Sequence, residues 1–299
     1  MPALARRLAA LLTIALVAAC TPPRPVVLPT PAPAAPVASA APSAAPSPSP
    51  SPRPSASPSR SPSRRATAPP VRLVSGPLSC KGSVKLVRSP ATGSGPAGSL
   101  RITGTPSVAL TFDDGPDPVN TPKLLDMLKQ CGVKATFCLV GFRARDRPDL
   151  VRSIVAEGHT VCNHSWQHLT DLGAETRTDE YIRHDLQATN NAIRKAAPTA
   201  TISYFRAPGG NFTPRLVQIA NDLGMTSIYW ALDPRDWERS TYGTGSRMVS
   251  HIIAAVEGSV RPSAIVLSHD NGKPDTITAY RTLLPWLKAR FKLIALPPR

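Results

Sequence analysis

The chain has 299 residues, 35 of them proline, and carries 35 Lys and Arg against 19 Asp and Glu, a formal net charge of +16. Residues 1–70 hold seven arginines and no acidic residue, so +16 less seven leaves +9 for the rest. This unevenness excludes one uniform fold, and the charge favours anionic partners; nucleic acid is disfavoured for an exported chain with no groove-reading motif, leaving an anionic cell-wall polymer, a membrane surface, or solubility alone.

Residues 1–20 read as an export signal. Arg6 and Arg7 supply the positive start, 8–19 an apolar middle too short to span a bilayer comfortably, and Val17-Ala18-Ala19 a small-residue approach to Cys20. The cysteine at that point resembles the lipobox of bacterial lipoproteins. The likeness implies cleavage before Cys20, a lipid on its sulfur, and anchoring to the outer face of the cell membrane, in the cell wall. An ordinary secretory signal, with the protein secreted, is the alternative. Residues 21–70 are dominated by Pro, Ala and Ser. They have too little apolar mass to bury and are expected to form a disordered, extended linker. Residues 71–105 are read as an N-terminal extension packing on the domain at 106–299.

In that domain β-rich and helical segments alternate. A strand at 108–112 is followed by a helix opening at Thr121-Pro122, with Leu124, Leu125 and Leu128 on one face. A strand at 134–140 precedes a helix at 148–157, stopped by Gly158. A strand at 159–162 leads, after a loop, to a helix at 178–196, broken by Pro198. Then come a strand at 202–205, a helix at 214–223, a strand at 226–232 and a helix at 246–256. The pattern ends with a strand at 264–268, a helix at 277–289 and a strand at 291–295. Strict β–α alternation calls for parallel strands with helical crossovers. Seven strands and six helices predict an α/β fold, a distorted, incomplete (β/α) barrel.

In barrels of this kind chemistry collects just past the C-terminal ends of the strands. Asp113 and Asp114 follow the first strand, His164 the third, Arg206 the fourth, Asp233 and Asp236 the fifth, and His269 the sixth. Asp114 with two imidazoles four residues apart, His164 and His168, matches the ligand set of a catalytic zinc with one open position. The neighbouring Asp113 stands where a base for water is needed. Singly, these residues could be turn, cap or core groups; their grouping at strand ends points to one hydrolytic site. Apart from Cys20, the four cysteines of an exported domain can form two disulfides. Cys138 and Cys162 lie in strands expected to be neighbours, which favours that pair and leaves Cys80 for Cys131.

Five segments carry a family resemblance. They are Thr111-Phe112-Asp113-Asp114-Gly115-Pro116, His164-Ser165-Trp166-Gln167-His168, Arg206-Ala207-Pro208-Gly209-Gly210, Asp233-Pro234-Arg235-Asp236-Trp237 and Leu267-Ser268-His269. In this order, over about 106–295, they resemble the five motifs of the polysaccharide deacetylases, carbohydrate esterase family four (the NodB-homology domain). The resemblance implies a distorted (β/α) barrel that removes acetyl groups from a sugar polymer with the help of a metal. It implies that Asp114, His164 and His168 hold one divalent ion, zinc, with cobalt or nickel as alternatives. Asp113 would be the general base, and Arg206 its partner. Gly209 stands where the family often has a tyrosine whose backbone N–H helps hold the oxyanion. His269 would be the general acid, oriented by Asp236, which also raises its pKa. Leu267 and Trp237 would form a pocket for the acetyl methyl group, or else pack in the core. His159, His184 and His251 are read as structural or solvent-facing.

The implied activity is N-deacetylation of peptidoglycan or a chitin-like N-acetylglucosamine polymer by a monomer. Tethering to the producing cell favours its own wall as target. Two alternatives stand beside it: an O-acetyl xylan esterase of the same family, and a catalytically silent glycan-binding lipoprotein. The intact base, ligand set and acid argue against the last.

Overall fold

The computed structural model describes residues 76–84 and 86–298. The export signal with Cys20, the Pro/Ala/Ser-rich linker and residues 71–75 lie outside the described residues. Strand β1 (Val108–Asp113) is buried along its whole length, as a strand covered on both faces requires. After it come α1 (Asn120–Cys131), β2 (Thr136–Leu139), α2 (Gly141–Asp146), α3 (Pro148–Ala156) and β3 (Thr160–Asn163). They are followed by α4 (Asp179–Ala196), β4 (Tyr204–Phe205), α5 (Pro214–Asp222), β5 (Thr226–Ser227) and α6 (Arg239–Tyr242). Helix α7 (Ser246–Ser259), β6 (Ile265–His269), α8 (Pro274–Lys288) and β7 (Leu293–Ile294) complete the domain.

The strands pair in parallel in the order β5-β4-β3-β2-β1-β6, and β7 pairs with the first residues of β1. The sheet curls into an incomplete (β/α) barrel, as the alternation predicts. Between β5 and β6 no continuous ladder forms. That seam is bridged low down by Leu100 against Ile228 and Ile102 against Ala264, and higher up by Leu232 against Val266. The segment before the barrel thus contributes backbone to its wall. This explains a departure from the predicted strand at 226–232. Ile228 N–H makes the last bond to β4, at Phe205 O; beyond it Tyr229 N–H donates to Leu100 O and Ala231 N–H to Ile265 O, so only two residues pair as β5.

Period-two alternation divides the apolar side chains between two layers. Val108, Leu110 and Phe112 face the helices, where they meet Leu124, Leu128 and Leu284. Ala109, Cys138, Cys162, Tyr204, Ile228 and Ile265 fill the barrel interior, and Leu296 closes it from below. Disulfides join Cys138 to Cys162, register partners on β2 and β3, and Cys80 to Cys131 at the end of α1. Side-chain caps open two of the helices: Thr178 Oγ1 accepts from Tyr181 N–H ahead of α4, and Thr213 Oγ1 from Leu216 N–H ahead of α5. Eight α-helices are present among the described residues where six were expected. The two additions, α2 and α6, are four to six residues long, too short to show a helical period.

Candidate active site

The C-terminal ends of β1, β3, β4 and β6 and the turn after β5 converge on a cavity of about 270 Å³. Its lining includes Asp113, Asp114, His164, His168, Gly209, Leu267, His269 and Trp237. Arg206 and Asp236 stand directly behind this wall, so the structure brings all ten sequence-predicted residues together.

The layer beneath the pocket begins with Arg206, which is fully buried. Its Nη1 donates to Asp113 Oδ1 at 2.7 Å and to Thr111 Oγ1 at 2.8 Å, and its Nη2 donates to Tyr229 O at 2.9 Å. A buried guanidinium without an anion costs several kcal/mol, so Asp113 and Arg206 hold each other in the interior. The pairing occupies one Asp113 oxygen. The other, Oδ2, lies 3.6 Å from His164 Nε2.

The carbonyl of Arg206 does a second job. It sits 2.8 Å from His164 Nδ1, and a carbonyl only accepts, so Nδ1 carries the hydrogen. In the neutral ring Nε2 then offers its lone pair toward the carboxylates. Nε2 is 3.4 Å from Asp114 Oδ1, and His168 Nε2 is 3.2 Å from the same oxygen. Ligand atoms of Asp114, His164 and His168 all lie within 4.8 Å of one another. Asp114 Oδ1 is buried without a hydrogen-bond partner, an arrangement that costs free energy unless a cation or proton fills it. The three donors therefore fit a divalent ion. Burial opposes ionisation of Asp114, but the imidazoles of His164, His269 and His168 outweigh it and hold the carboxyl far below its usual range. For His168, burial and then His164 lower the pKa. An anionic carboxylate and a neutral imidazole are the protonation states a metal needs; at His164 burial also favours the neutral ring, but Asp113 and Asp114 outweigh it and raise the pKa, so a cation there would compete with a proton.

The backbone that presents these ligands is strained. Asp114, Ser165 and His168 all adopt positive φ (72°, 63° and 57°), a region non-glycine residues seldom occupy. Hydrogen bonds hold them there. Ser165 N–H donates to Asn163 Oδ1, His168 N–H to Ser165 Oγ, and Trp166 N–H to Asp185 Oδ1 on α4. Asn163 is itself fixed by donating to Leu186 O and Asn190 Oδ1.

On the opposite wall His269 Nδ1 donates to Asp236 Oδ1 at 2.7 Å, and its backbone N–H to Oδ2 at 2.9 Å. Asp236 Oδ2 also accepts from Thr276 Oγ1. Burial disfavours the His269 imidazolium, but the Asp236 charge and hydrogen bond, with help from Asp114 and Asp113, push its pKa up to about 9. The ring thus keeps a proton for delivery at neutral pH.

The sequence reading passed over one part of the wall. Trp230 lines the pocket two residues beyond Ile228, on the same face, so strand alternation pointed to it. Its ring packs where a side chain on Gly210 would stand: a Cβ there would lie 2.5 Å from Trp230 Cη2. Asp233 also faces the pocket, with its pKa raised by burial. Of the histidines read as structural, His159 accepts from Ala135 N–H, and His251 stacks on Tyr242.

Comparison with known proteins agrees with this geometry. Residues 101–228 match a family model described as polysaccharide deacetylase. The chain is 40% identical over 208 residues to a chitooligosaccharide deacetylase of Sinorhizobium fredii, covering 65% of this chain and 92% of that protein. It is 35% identical to a peptidoglycan-N-acetylglucosamine deacetylase of Bacillus cereus, covering 60% of this chain and 81% of the other. Among solved structures it resembles a CE4 family pseudoenzyme from Bacillus anthracis, with TM-score 0.56 and 27% identity over 67% of this chain and 68% of that one.

Proposed function

The chain belongs to the polysaccharide deacetylase family, and from that premise we propose that it is a metal-dependent hydrolase of N-acetyl groups on an N-acetylglucosamine polymer of the cell wall. One observation carries the catalytic part: Asp113, the Asp114–His164–His168 triad and the Asp236–His269 pair surround a single cavity. Likeness to a pseudoenzyme makes fold alone insufficient, so the weight falls on these side chains.

When bound at the triad, a divalent cation supplies Lewis acidity, which polarises the acetyl carbonyl and acidifies water. Zinc suits two imidazoles and one carboxylate, with cobalt or nickel as substitutes. Asp113, steadied by Arg206, accepts the proton of the attacking water at Oδ2. The Pro208–Gly210 turn brings backbone against the cavity, where the Gly209 N–H can meet the developing oxyanion. Leu267 and Trp237 contact the acetyl methyl group. His269 delivers the proton from Nε2 to the leaving amine nitrogen, and Asp236 keeps the ring oriented and charged until then.

The reaction releases acetate and leaves a free amine. The deciding experiment is acetate release from purified peptidoglycan, chito-oligosaccharides and acetylated xylan. Turnover confined to the first two supports the proposal, and turnover of xylan alone would replace it with ester hydrolysis.

We also propose that a lipid on Cys20 tethers the enzyme to the membrane it serves. The small residues before that cysteine support this reading. Cys20→Ser then releases the protein from membranes washed at high salt, and retention under that wash contradicts the anchor.

A further inference from the structure

We propose that the end of the barrel opposite the catalytic cavity is a docking face for an anionic lipid bilayer. In a parallel barrel that end carries the C-termini of the helices and the segments leading into the strands. Lys129, Lys134, Arg194, Lys195, Arg261 and Lys292 are all exposed there. Among the described residues none of the six is ion-paired with a carboxylate. Among the described residues, the ion pairs Arg147–Asp149, Arg177–Asp171 and Arg215–Asp179 lie instead around the loops of the catalytic end. The acidic residues at the basic end are Glu157, Asp222 and Glu257, and Asp222 is taken by Arg183.

A simpler account covers four of these six cations. Lys129, Arg194 and Lys195 stand in the last turns of α1 and α4, where basic residues complement the helix dipole. Lys134 joins them, since its Nζ donates to the carbonyl of Glu157 at the C-cap of α3. Arg261 and Lys292 do not, since they precede β6 and β7. The dipole also says nothing about two exposed valines on the same end. Val87 is 84% exposed, more than any other large apolar side chain among the described residues, and Val84 is 52% exposed. Their position is fixed: Val84 N–H donates to Ala289 O just past α8, and Arg88 donates to Glu257 O and Val260 O at the end of α7. Exposed apolar residues on the same end as cations that have no carboxylate partner are the composition of a surface that rests in the headgroup layer.

A bilayer fits this array better than a linear polyanion does. The cations come from two helix ends and three strand entries around the mouth, and so cover an area rather than a line. No helix among the described residues is long and apolar enough to cross a membrane, so the contact is peripheral. Docked this way, the enzyme turns its Asp114 cavity away from the lipid, toward polymer lying outside it.

The test uses the full chain as Cys20→Ser, so that no lipid contributes, in co-sedimentation with phosphatidylcholine vesicles with and without phosphatidylglycerol. Binding is expected to the anionic vesicles only and to weaken as salt rises. Each cation removed from the face weakens it roughly fivefold. The combined Arg194→Glu, Lys195→Glu, Arg261→Glu and Lys292→Glu variant therefore loses at least a hundredfold by the same scale. Val84→Ser with Val87→Ser, which leaves every charge in place, weakens binding independently, and an unchanged circular dichroism melt shows that both variants fold. Wild-type-like binding by the quadruple variant would locate the interaction in the arginines of residues 1–70 and overturn the proposal. So would capture of soluble polyphosphate with no binding to vesicles.

Discussion

Asp236→Asn is the most informative single change, because it keeps shape and removes charge. Asp236 is fully enclosed behind His269 and accepts three hydrogen bonds, two of them from that residue. Its charge is the main reason the His269 pKa stands near 9 rather than 6.5. With asparagine in its place, burial remains and the main opposing attraction is lost, leaving only the weaker pull of Asp114 and Asp113, so the value falls from about 9. If His269 is the general acid, its proton must be present for turnover, and activity is lost as pH rises through that pKa. The alkaline limb of kcat/KM therefore moves to lower pH in the variant. At two pH units above the new value only about one enzyme in a hundred is protonated, a loss within the range of general-acid contributions, about 10²–10⁴-fold. The assay is acetate release from chito-oligosaccharide between pH 5 and 10 with metal-loaded protein. The cation draws the limb down in both proteins, so the displacement between them is the quantity compared. An alkaline limb that stays in place in Asp236→Asn, at undiminished rate, would refute the assignment.

Asp113→Asn should lower turnover by about 10²–10⁴-fold while metal content stays at the wild-type level, as measured by acetate release beside elemental analysis; near wild-type rates would remove Asp113 from the base role. Asp270 offers a test on stability. Burial, opposed by the Thr121 hydrogen bond and reinforced by Asp114 and Asp117, pushes its pKa up to about 7 from 3.8. A carboxyl raised in the folded state contributes stability that is fully present below 3.8 and is lost as pH rises through 7. In chelated protein, Asp270→Asn should therefore flatten the fall in Tm between pH 5 and 8. A variant whose Tm drops as steeply as that of wild type would show that Asp270 is not what makes the fold pH-sensitive.

Much of this site was legible because parallel (β/α) folds tie chemistry to strand ends. The run Val108–Asp113 ends on its own carboxylate, and Cys138 and Cys162 fall on neighbouring strands in register. What escaped reading depends on contacts distant in sequence. The outer edge of β5 is covered by Leu100, more than a hundred residues earlier, which bridges to Ile228 through Ser227 O and Tyr229 N–H. Helix α2 starts at Gly141, where a Cβ would lie 2.4 Å from Trp166 Cε3, so its position follows from the histidine loop rather than from its own six residues. Asp270 follows His269, and nothing in the local sequence marks it as buried. It is buried because the turn after β1 folds Gly115 and Thr121 over it.

The central claim is that Asp114, His164 and His168 jointly hold one catalytic divalent ion. Calorimetric zinc titration of chelated protein, run beside His168→Ala and paired with acetate release, tests it most directly. The account predicts one site per chain in wild type, activity that returns in proportion to its filling, and loss of both in the variant. Zinc binding that survives His168→Ala unchanged, or full activity in thoroughly chelated protein, would contradict it.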